Sequence, residues 1–249
     1  MIRFFRQIRQ ILLTDNKFSK YLLYAVGEIL LVVIGILIAL QVDNWNEERE
    51  LRVEELKILK EFRESLAKDS AFLQGSKYTY EKARNSMEYL ISYMDKDLPY
   101  TDSLKYHFAN ITFDWGLQYD LSTYEIFKSK DLKLISNESL RSKIITYYIY
   151  SEGLGMRLAN RYSTIIDDAS KTILNKHFDQ MWEVRIDDLQ GEMIPLDYET
   201  LKKDGQFRYF LKTLRNQNYW LIEGPTIQSE EFYSEIVEEI EREIDKLSG

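Results

Sequence analysis

The sequence predicts an all-α protein in which one N-terminal transmembrane helix precedes an extracytoplasmic helical bundle. Two observations carry this prediction: the apolar run 21–42, and long stretches of the remaining chain in which apolar residues recur at intervals of three and four. The chain therefore divides into a basic cytoplasmic segment (1–20), a membrane helix (21–42) and a periplasmic helical domain that begins with a stalk (43–249).

The membrane helix is predicted from length and composition. Residues 21–42, YLLYAVGEILLVVIGILIALQV, contain one ionisable side chain, Glu28. At about 1.5 Å per residue the run reaches roughly 33 Å, enough to cross a hydrocarbon core of about 30 Å. The run is too long for a cleaved signal peptide, and Ile38–Gln41 lacks the small-x-small pattern of a cleavage site. We therefore expect the span to be retained.

The charge is divided unevenly along the chain. Residues 1–20 carry five Lys and Arg against one Asp, whereas residues 43–249 carry 28 basic against 39 acidic side chains. A positive flank stays in the cytoplasm, so we expect a single-pass inner-membrane protein with its C-terminal domain in the periplasm. An acidic domain argues against nucleic acid as a partner. Cysteine is absent, which excludes disulfides, thiolate metal sites and an acylated lipoprotein cysteine.

Several residues are predicted to anchor the protein at the two faces of the bilayer. In the N-terminal segment, three arginines at spacing three border an apolar helical face. This segment either lies on the anionic inner leaflet or serves only as the positive flank that sets orientation. Aromatic rings are expected at headgroup level on both sides of the span. The predicted anchors are Arg3, Arg6, Arg9, Tyr21, Tyr24 and Trp45.

One face of the span is predicted to associate with another membrane helix. Small residues at Gly27, Gly35 and Ala39 share a face, and Gly35-x-x-x-Ala39 would permit close helix approach. Glu28 lies on or beside that face. A carboxylate within a membrane is costly and is a functional-site hypothesis by default. Three readings stay open for Glu28: it joins helices, it sits near enough to the interface to be harmless, or it handles protons or ions.

The first 50 residues resemble a known family. The run GEILLVVIGILIALQVDNWNEER (27–49) contains Gly-Glu-Ile, Ile-Gly-Ile and Leu-Gln-x-x-Asn-Trp-Asn-Glu in order, and TYEIFKSKDLKLISNESLRSKIITYY (123–148) resembles the family's C-terminal region. These elements are similar to an uncharacterised family of single-span membrane proteins of Gram-negative bacteria, domain of unknown function 6090. Asp43-Asn44 stands where Asn-Asn is expected. The resemblance implies the single-span topology and no activity.

Two long helices are predicted in the domain. The first, over about 46–95, is either one long helix or two in line, and its first part is expected to continue from the membrane helix as a stalk. The other begins at Asn137, is weakened at Gly153 and Gly155, and extends to about Trp182. Short helical pieces between them favour an antiparallel pair. A break at 224–225 precedes a last helix whose apolar stripe faces the core and whose glutamates, Glu235, Glu238, Glu239, Glu241 and Glu243, are predicted to be solvated surface.

Catalytic and ligand-binding patterns are lacking. His107 and His177 have no partner at metal-ligand spacing, and His177 is expected to be a satisfied, partly buried histidine. The adjacent carboxylates at 167–168 and 187–188 would point about 100° apart on a helix, which argues against a catalytic dyad. No nucleotide-binding or hydrolase motif occurs. We therefore expect no enzymatic activity, no cofactor and no metal.

Two hypotheses of function follow. The first is a non-enzymatic, membrane-anchored module that oligomerises through its span and acts as a sensor or scaffold. The second is an accessory subunit of an ion-driven or transport membrane complex that uses Glu28. This hypothesis rests only on analogy, because energy-transducing helper proteins share the same order of a short basic N-terminus, one span with an acidic residue and a periplasmic domain. The expected partners are the lipid bilayer and either a second copy of the chain or another membrane protein.

Overall fold

The computed structural model describes residues 18–185 and 188–248, and this part of the chain is helical apart from one short hairpin. The predicted all-α class is confirmed. The chain divides into two compact units, one up to Glu54 and one from Glu55 onward.

The elements follow one another with short connections. The α-helices are α1 (Phe18–Asp95), α2 (Leu104–Thr112), α3 (Ser122–Ser129), α4 (Glu138–Tyr150), α5 (Met156–Thr172), α6 (Tyr198–Lys203), α7 (Gly205–Leu221) and α8 (Ile227–Ser248). Two π-helical segments, Ser151–Gly155 and Ile222–Thr226, join α4 to α5 and α7 to α8. Single 3-10 turns lie at Leu132–Leu134 and Leu174–Lys176. The antiparallel hairpin consists of β1 (Glu183–Arg185) and β2 (Asp188–Glu192).

The first unit contains the apolar part of α1. In the described part of the chain, one helix near the N-terminus is long and apolar enough to cross a membrane, which is α1. Residues 26–53 are exposed throughout. No helix boundary falls at the predicted end of the span, since α1 continues to Asp95.

The second unit is built on three long helices. The first is the part of α1 from Glu55 onward, the second is α4–α5 with its π segment, and the third is α7–α8 with its π segment. Aromatic pairs join the first two: the ring centroids lie 5.9 Å apart for Phe62 and Tyr148 and 5.5 Å apart for Tyr80 and Tyr162. Both residue numbers rise together, so these two helices run in the same direction.

The predicted antiparallel pair of long helices is therefore wrong. The cause is the connection between them, residues 96–137, here called the return segment. It runs back along α1: Asn110 bonds Ser86, Asp120 bonds Asp69, and Ser136 bonds Glu55. A connection that returns over the full length of a helix delivers the next helix in the same direction, as long crossover connections do in other bundles.

The third long helix runs antiparallel to both others. Arg63 pairs with Glu241 at 3.4 Å and Lys77 with Glu230 at 3.0 Å, so the residue numbers run in opposite directions. The same direction holds against α4, where Asn137 bonds Glu243 and Lys143 bonds Glu239. The apolar stripe of α8 is buried as predicted, with Ile236 and Ile240 fully inaccessible.

Some predicted boundaries and exposures differ from the structure. The second long helix ends at Thr172 and does not reach Trp182. Gly224-Pro225 does not break the third helix, because the π segment carries the chain across it. The predicted solvated face of α8 is only partly solvated: Glu243 is 5% exposed and bonds Asn137 and Lys246. Asn137 caps α4 as predicted, accepting a hydrogen bond from the Leu140 N–H.

Engineered cysteine pairs test these directions, because the natural chain has no cysteine. Lys77→Cys with Glu230→Cys should cross-link with a short bis-maleimide, since the native side chains meet at 3.0 Å. Arg63→Cys with Glu230→Cys is the matched control. Its positions are offset by 14 residues along α1, about 21 Å at helical rise, so no cross-link should form. Efficient cross-linking of the control pair on a denaturing gel would contradict the antiparallel arrangement.

Candidate functional site

A buried polar cluster lies where the return segment crosses the first two long helices. It consists of Ser65, Asp69, Asp120, Tyr147 and Tyr148, and is called the Asp69 cluster below. The Asp69 carboxylate accepts hydrogen bonds from the Asp120 backbone N–H at 2.6 Å and the Tyr147 hydroxyl at 3.1 Å. Ser65 donates to the Asp120 carbonyl at 2.9 Å, and its oxygen lies 3.3 Å from the Tyr148 hydroxyl. The cluster joins three chain segments through one carboxylate.

The cluster exists because residues 113–121 of the return segment belong to neither a helix nor a strand. Buried peptide groups need hydrogen-bond partners, and this stretch has no neighbouring strand to supply them. Side chains of α1 do so instead: Ser76 donates to the Gly116 carbonyl at 2.8 Å, and Ser65 and Asp69 hold Asp120.

The electrostatics of Asp69 differ from those of an exposed carboxylate. Asp69 is 2% exposed, and burial raises its pKa to about 6. The hydrogen bonds from Asp120 and Tyr147 and the charge of Lys68 act in the opposite direction, whereas the charge of Asp120 adds to the rise. Burial also raises the pKa of Tyr147 and Tyr148. The carboxylate can therefore gain or lose a proton close to neutral pH while the tyrosines stay protonated.

Aromatic rings enclose the cluster. Tyr148 stacks on Tyr124 with centroids 4.7 Å apart, and Tyr147 makes edge contacts with Tyr148 and Tyr119. Much of the high tyrosine content thus serves the interior of the domain. The buried tyrosines of the described chain are Tyr80, Tyr119, Tyr124, Tyr147, Tyr148, Tyr162 and Tyr198.

The two π segments face each other beside this cluster. A Cβ added at Gly155 would lie 3.0 Å from the Tyr119 hydroxyl and 3.7 Å from Pro225 Cβ. Between them, Ser151 is fully buried, and its hydroxyl has no hydrogen-bond partner among the described residues. Single π turns inside α-helices are enriched at functional sites. The Asp69 cluster and the paired π segments together form the candidate site.

A second, partly buried carboxylate anchors the return segment nearby. Asp114 accepts hydrogen bonds from the Tyr80 hydroxyl at 3.1 Å, from the Gly116 N–H at 2.9 Å and from the Ser163 hydroxyl. Across residues 18–185 and 188–248, no three His, Cys, Asp or Glu side chains gather into a group that could hold a metal ion.

The membrane-face residues predicted from the sequence belong to the first unit. Glu28 and Ala39 are exposed along α1, and a Cβ added at Gly27 or Gly35 would meet nothing within 4 Å. Trp45 is 69% exposed. The remaining predicted anchors, which are Arg3, Arg6, Arg9 and the side chains of Tyr21 and Tyr24, lie outside the described residues.

The histidines behave as structural side chains. His177 is 6% exposed, and its Nε2 lies 2.6 Å from the Asp204 carboxylate, which also caps α7. The prediction of a satisfied, buried histidine is confirmed. His107 stacks on Tyr89 with centroids 4.4 Å apart and bonds Ser86, and burial lowers its pKa.

The chain can now be compared with known families. Residues 28–148 match the model of a family of unknown function, DUF6090. The resemblance to that family is confirmed. The matched range contains all five residues of the Asp69 cluster and ends at Tyr148. Neither a curated protein nor a solved structure matches the chain significantly.

Sequence reasoning missed the Asp69 cluster, although a signal was present. The apolar stripe of α1 passes through Phe62, Leu66, Leu73 and Tyr80, and its three-four spacing places Asp69 and Ser76 on the same buried face. A polar residue at a stripe position needs an internal partner.

The raised pKa of Asp69 predicts a pH-dependent stability. A carboxyl whose pKa rises from 3.8 to about 6 on folding contributes stability that is present below pH 3.8 and lost as pH rises through 6. Asp69→Asn should remove that dependence, which amounts to about 2 kcal/mol between pH 4 and pH 7.5. Thermal unfolding followed by circular dichroism at several pH values measures it. Exposed Asp168→Asn is the control and should keep the wild-type pH profile; an unchanged profile for Asp69→Asn would contradict the assignment.

The two glycines of the first π segment predict opposite effects of alanine. Gly153→Ala should stabilise the protein by about 0.5–1 kcal/mol, because nothing lies within 4 Å and alanine is the better helix former. Gly155→Ala should destabilise it by about 1 kcal/mol, because the new methyl group meets the packed Tyr119 ring. The unfolding midpoints of the two variants, measured side by side, check this. Equal shifts would show that the Tyr119 contact is not tight.

Proposed function

We propose that the protein is a membrane-anchored, non-enzymatic helical module that oligomerises through its span and acts as a sensor or scaffold outside the cytoplasm. The observation that carries this proposal is the uncovered small-residue face of α1. Gly27, Gly35 and Ala39 leave space along one side of an apolar helix, and no described element covers them. Close backbone approach at such faces drives helix association in membranes.

The distribution of charge along the chain supports a membrane orientation with the second unit outside the cytoplasm. The basic residues 1–20 favour a cytoplasmic N-terminus, and the acidic domain is then placed in the periplasm. In this arrangement the second unit receives the stimulus or binds the partner, and the membrane-spanning part of α1 mediates oligomerisation. The Asp69 cluster gives the domain a group that titrates close to neutral pH, which suits a sensor.

A second function, an accessory subunit of an ion-driven or transport complex, is favoured by one observation. Glu28 lines a shallow groove along α1 with Ala25, Ile29, Val32 and Val33. A carboxylate within an apolar groove is the type of group that meets an ion or a polar side chain of a neighbouring membrane protein.

Native mass spectrometry of the full-length protein, extracted gently from its host membrane, tests the proposal. A homo-oligomer is expected. Gly35→Leu should shift it to monomer, because the larger side chain prevents close approach. Val26→Leu is the matched control: it adds bulk on the face of the helix opposite Gly35, outside the Glu28 groove, and should leave the oligomer intact.

Glu28→Gln separates the two functions. If Glu28 joins copies of the span, the substitution should weaken the homo-oligomer. A monomer that instead co-purifies with a multi-span protein, and loses that protein on Glu28→Gln, would replace the first proposal with the second. An oligomer that survives Gly35→Leu unchanged would remove the support for association through this face.

A further inference from the structure

Residues 113–121 of the return segment lie at the surface of the second unit, between α2 and α3. Phe113, Trp115 and Gln118 are exposed, and no helix or strand includes this stretch. Its attachment to α1 depends on the side-chain hydrogen bonds that reach the Gly116 carbonyl and the backbone of Asp120. Backbone with few ladder hydrogen bonds and much exposed surface opens at a lower free energy than core helices do.

Asp69 makes the shortest of these attachments. One oxygen of its carboxylate accepts from the Asp120 N–H at 2.6 Å, and the other accepts from the Tyr147 hydroxyl at 3.1 Å. A single carboxylate therefore ties the end of residues 113–121 to both α1 and α4. Asp120 in turn accepts hydrogen bonds from the N–H and the hydroxyl of Ser122, the first residue of α3. The start of α3 consequently depends on the same attachment.

The charged groups that face Asp69 leave its negative charge poorly compensated. On α1, Lys68 supplies a cation, but its side chain is 71% exposed and its ammonium lies 3.5 Å from the Asp120 carboxylate. On the return segment, Asp120 brings a second carboxylate, whose own hydrogen bonds keep its pKa below the usual range. On α4, Tyr147 and Tyr148 are neutral, because burial raises their pKa. Two carboxylates thus meet one exposed cation.

We propose that protonation of Asp69 controls the attachment of residues 113–121 to α1: the protonated carboxyl holds the segment, and loss of the proton lets it open while the long helices stay folded. Opening exposes the carboxylate to water and separates it from Asp120, which relieves the costs of burial and of like charge. The neutral carboxyl bears neither cost and still offers an oxygen to the Asp120 N–H.

The direction of the pH dependence follows from linkage between protonation and opening. Burial raises the pKa of Asp69 from 3.8 to about 6 in the closed segment, and hydration on opening restores the ordinary value. The closed form binds the proton more tightly, so opening is least frequent below pH 3.8 and becomes more frequent as pH rises through 6. With these two pKa values, the opening equilibrium is about tenfold larger at pH 7.5 than at pH 5.

A rise in pH is then the stimulus that the proposed sensor detects, and residues 113–121 are the part that responds. This role rests on the proposed function, whereas the opening itself is a property of the second unit. The two are measured separately. A monomer in native mass spectrometry would contradict association through the span, and the pH-dependent opening would still be present or absent in that monomer.

Hydrogen–deuterium exchange of the full-length protein in detergent, read by mass spectrometry, tests the proposal. Overlapping peptides isolate the Asp120 amide, and peptides from the buried stripe of α8 serve as the internal reference. Protection factors, corrected for the intrinsic pH dependence of exchange, are compared at pH 5 and pH 7.5. The Asp120 amide should be less protected than α8 at both pH values, since it opens without global unfolding. Its protection should fall by about tenfold from pH 5 to pH 7.5.

Asp69→Asn is the decisive variant, because its side chain does not titrate and keeps an acceptor for the Asp120 N–H. The Asp120 amide should then be equally protected at the two pH values. Asp168→Asn, at an exposed position, is the matched control and should retain the tenfold change. If Asp69→Asn loses its helical circular dichroism, Asp120→Asn replaces it: this variant removes the facing charge, keeps the backbone N–H, and should make the change smaller than in the wild type.

Three results would overturn the proposal. Equal protection of the Asp120 amide and of α8 would show that the segment opens only when the whole second unit unfolds. Protection of the Asp120 amide that stays constant between pH 5 and pH 7.5 would show that opening is independent of the proton. A tenfold change that persists in Asp69→Asn would assign the titrating group to another residue.

Discussion

Hydrogen bonds between buried carboxylates and the return segment are the constraint on which the second unit depends. Between its short helices, the return segment passes over α1 in irregular stretches, without helical or β-ladder hydrogen bonds to satisfy its peptide groups. Glu55 receives the Ser136 N–H at 2.7 Å, and Asp69 receives the Asp120 N–H at 2.6 Å. Because these bonds fix the segment along α1, the second long helix starts beside Glu55 and runs parallel to α1. The alternation of the same segment places Asp114 inside and the rings of Phe113 and Trp115 outside.

Burial of the carboxylates that accept these backbone hydrogen bonds is itself unfavourable. Burying a charge is unfavourable unless hydrogen bonds compensate, and removal of one partner leaves the other unsatisfied. Asp69 carries such a cost, because burial raises its pKa to about 6. On protonation the carboxyl gains an O–H donor, while the Asp120 N–H still needs an acceptor. The protonation state of one side chain thus affects contacts among three segments of the chain.

The sequence predicted the parts of the fold that depend on local periodicity. The apolar run, the long helix up to residue 95, the Asn137 cap and the buried stripe of α8 are all present in the structure. The direction of the second long helix was not predictable in this way, because it depends on how far the return segment travels. That distance is set by hydrogen bonds between residues 51 and 81 positions apart, and helical periodicity carries no information on them. The Asp69 cluster was missed for the same reason: its partners Asp120 and Tyr147 are distant in sequence.

The two π segments keep residues that are spaced four apart on the buried face of their helices. Each residue of an α-helix turns about 100°, so four residues turn about 400°, or about 40° more than one full turn. Buried positions spaced four residues apart therefore rotate away from the core by about 40° at every step. Ser151, Gly155 and Ala159 are such a series, and all three are buried. The wider turn of a π segment absorbs the drift and keeps the same face directed at the core. Leu214, Asn218 and Ile222 repeat the spacing on the third helix, immediately before its own π segment. Glycines at 155 and 224 then allow the two widened turns to approach each other, and Pro225 lies within the second of them while the helix continues on both sides.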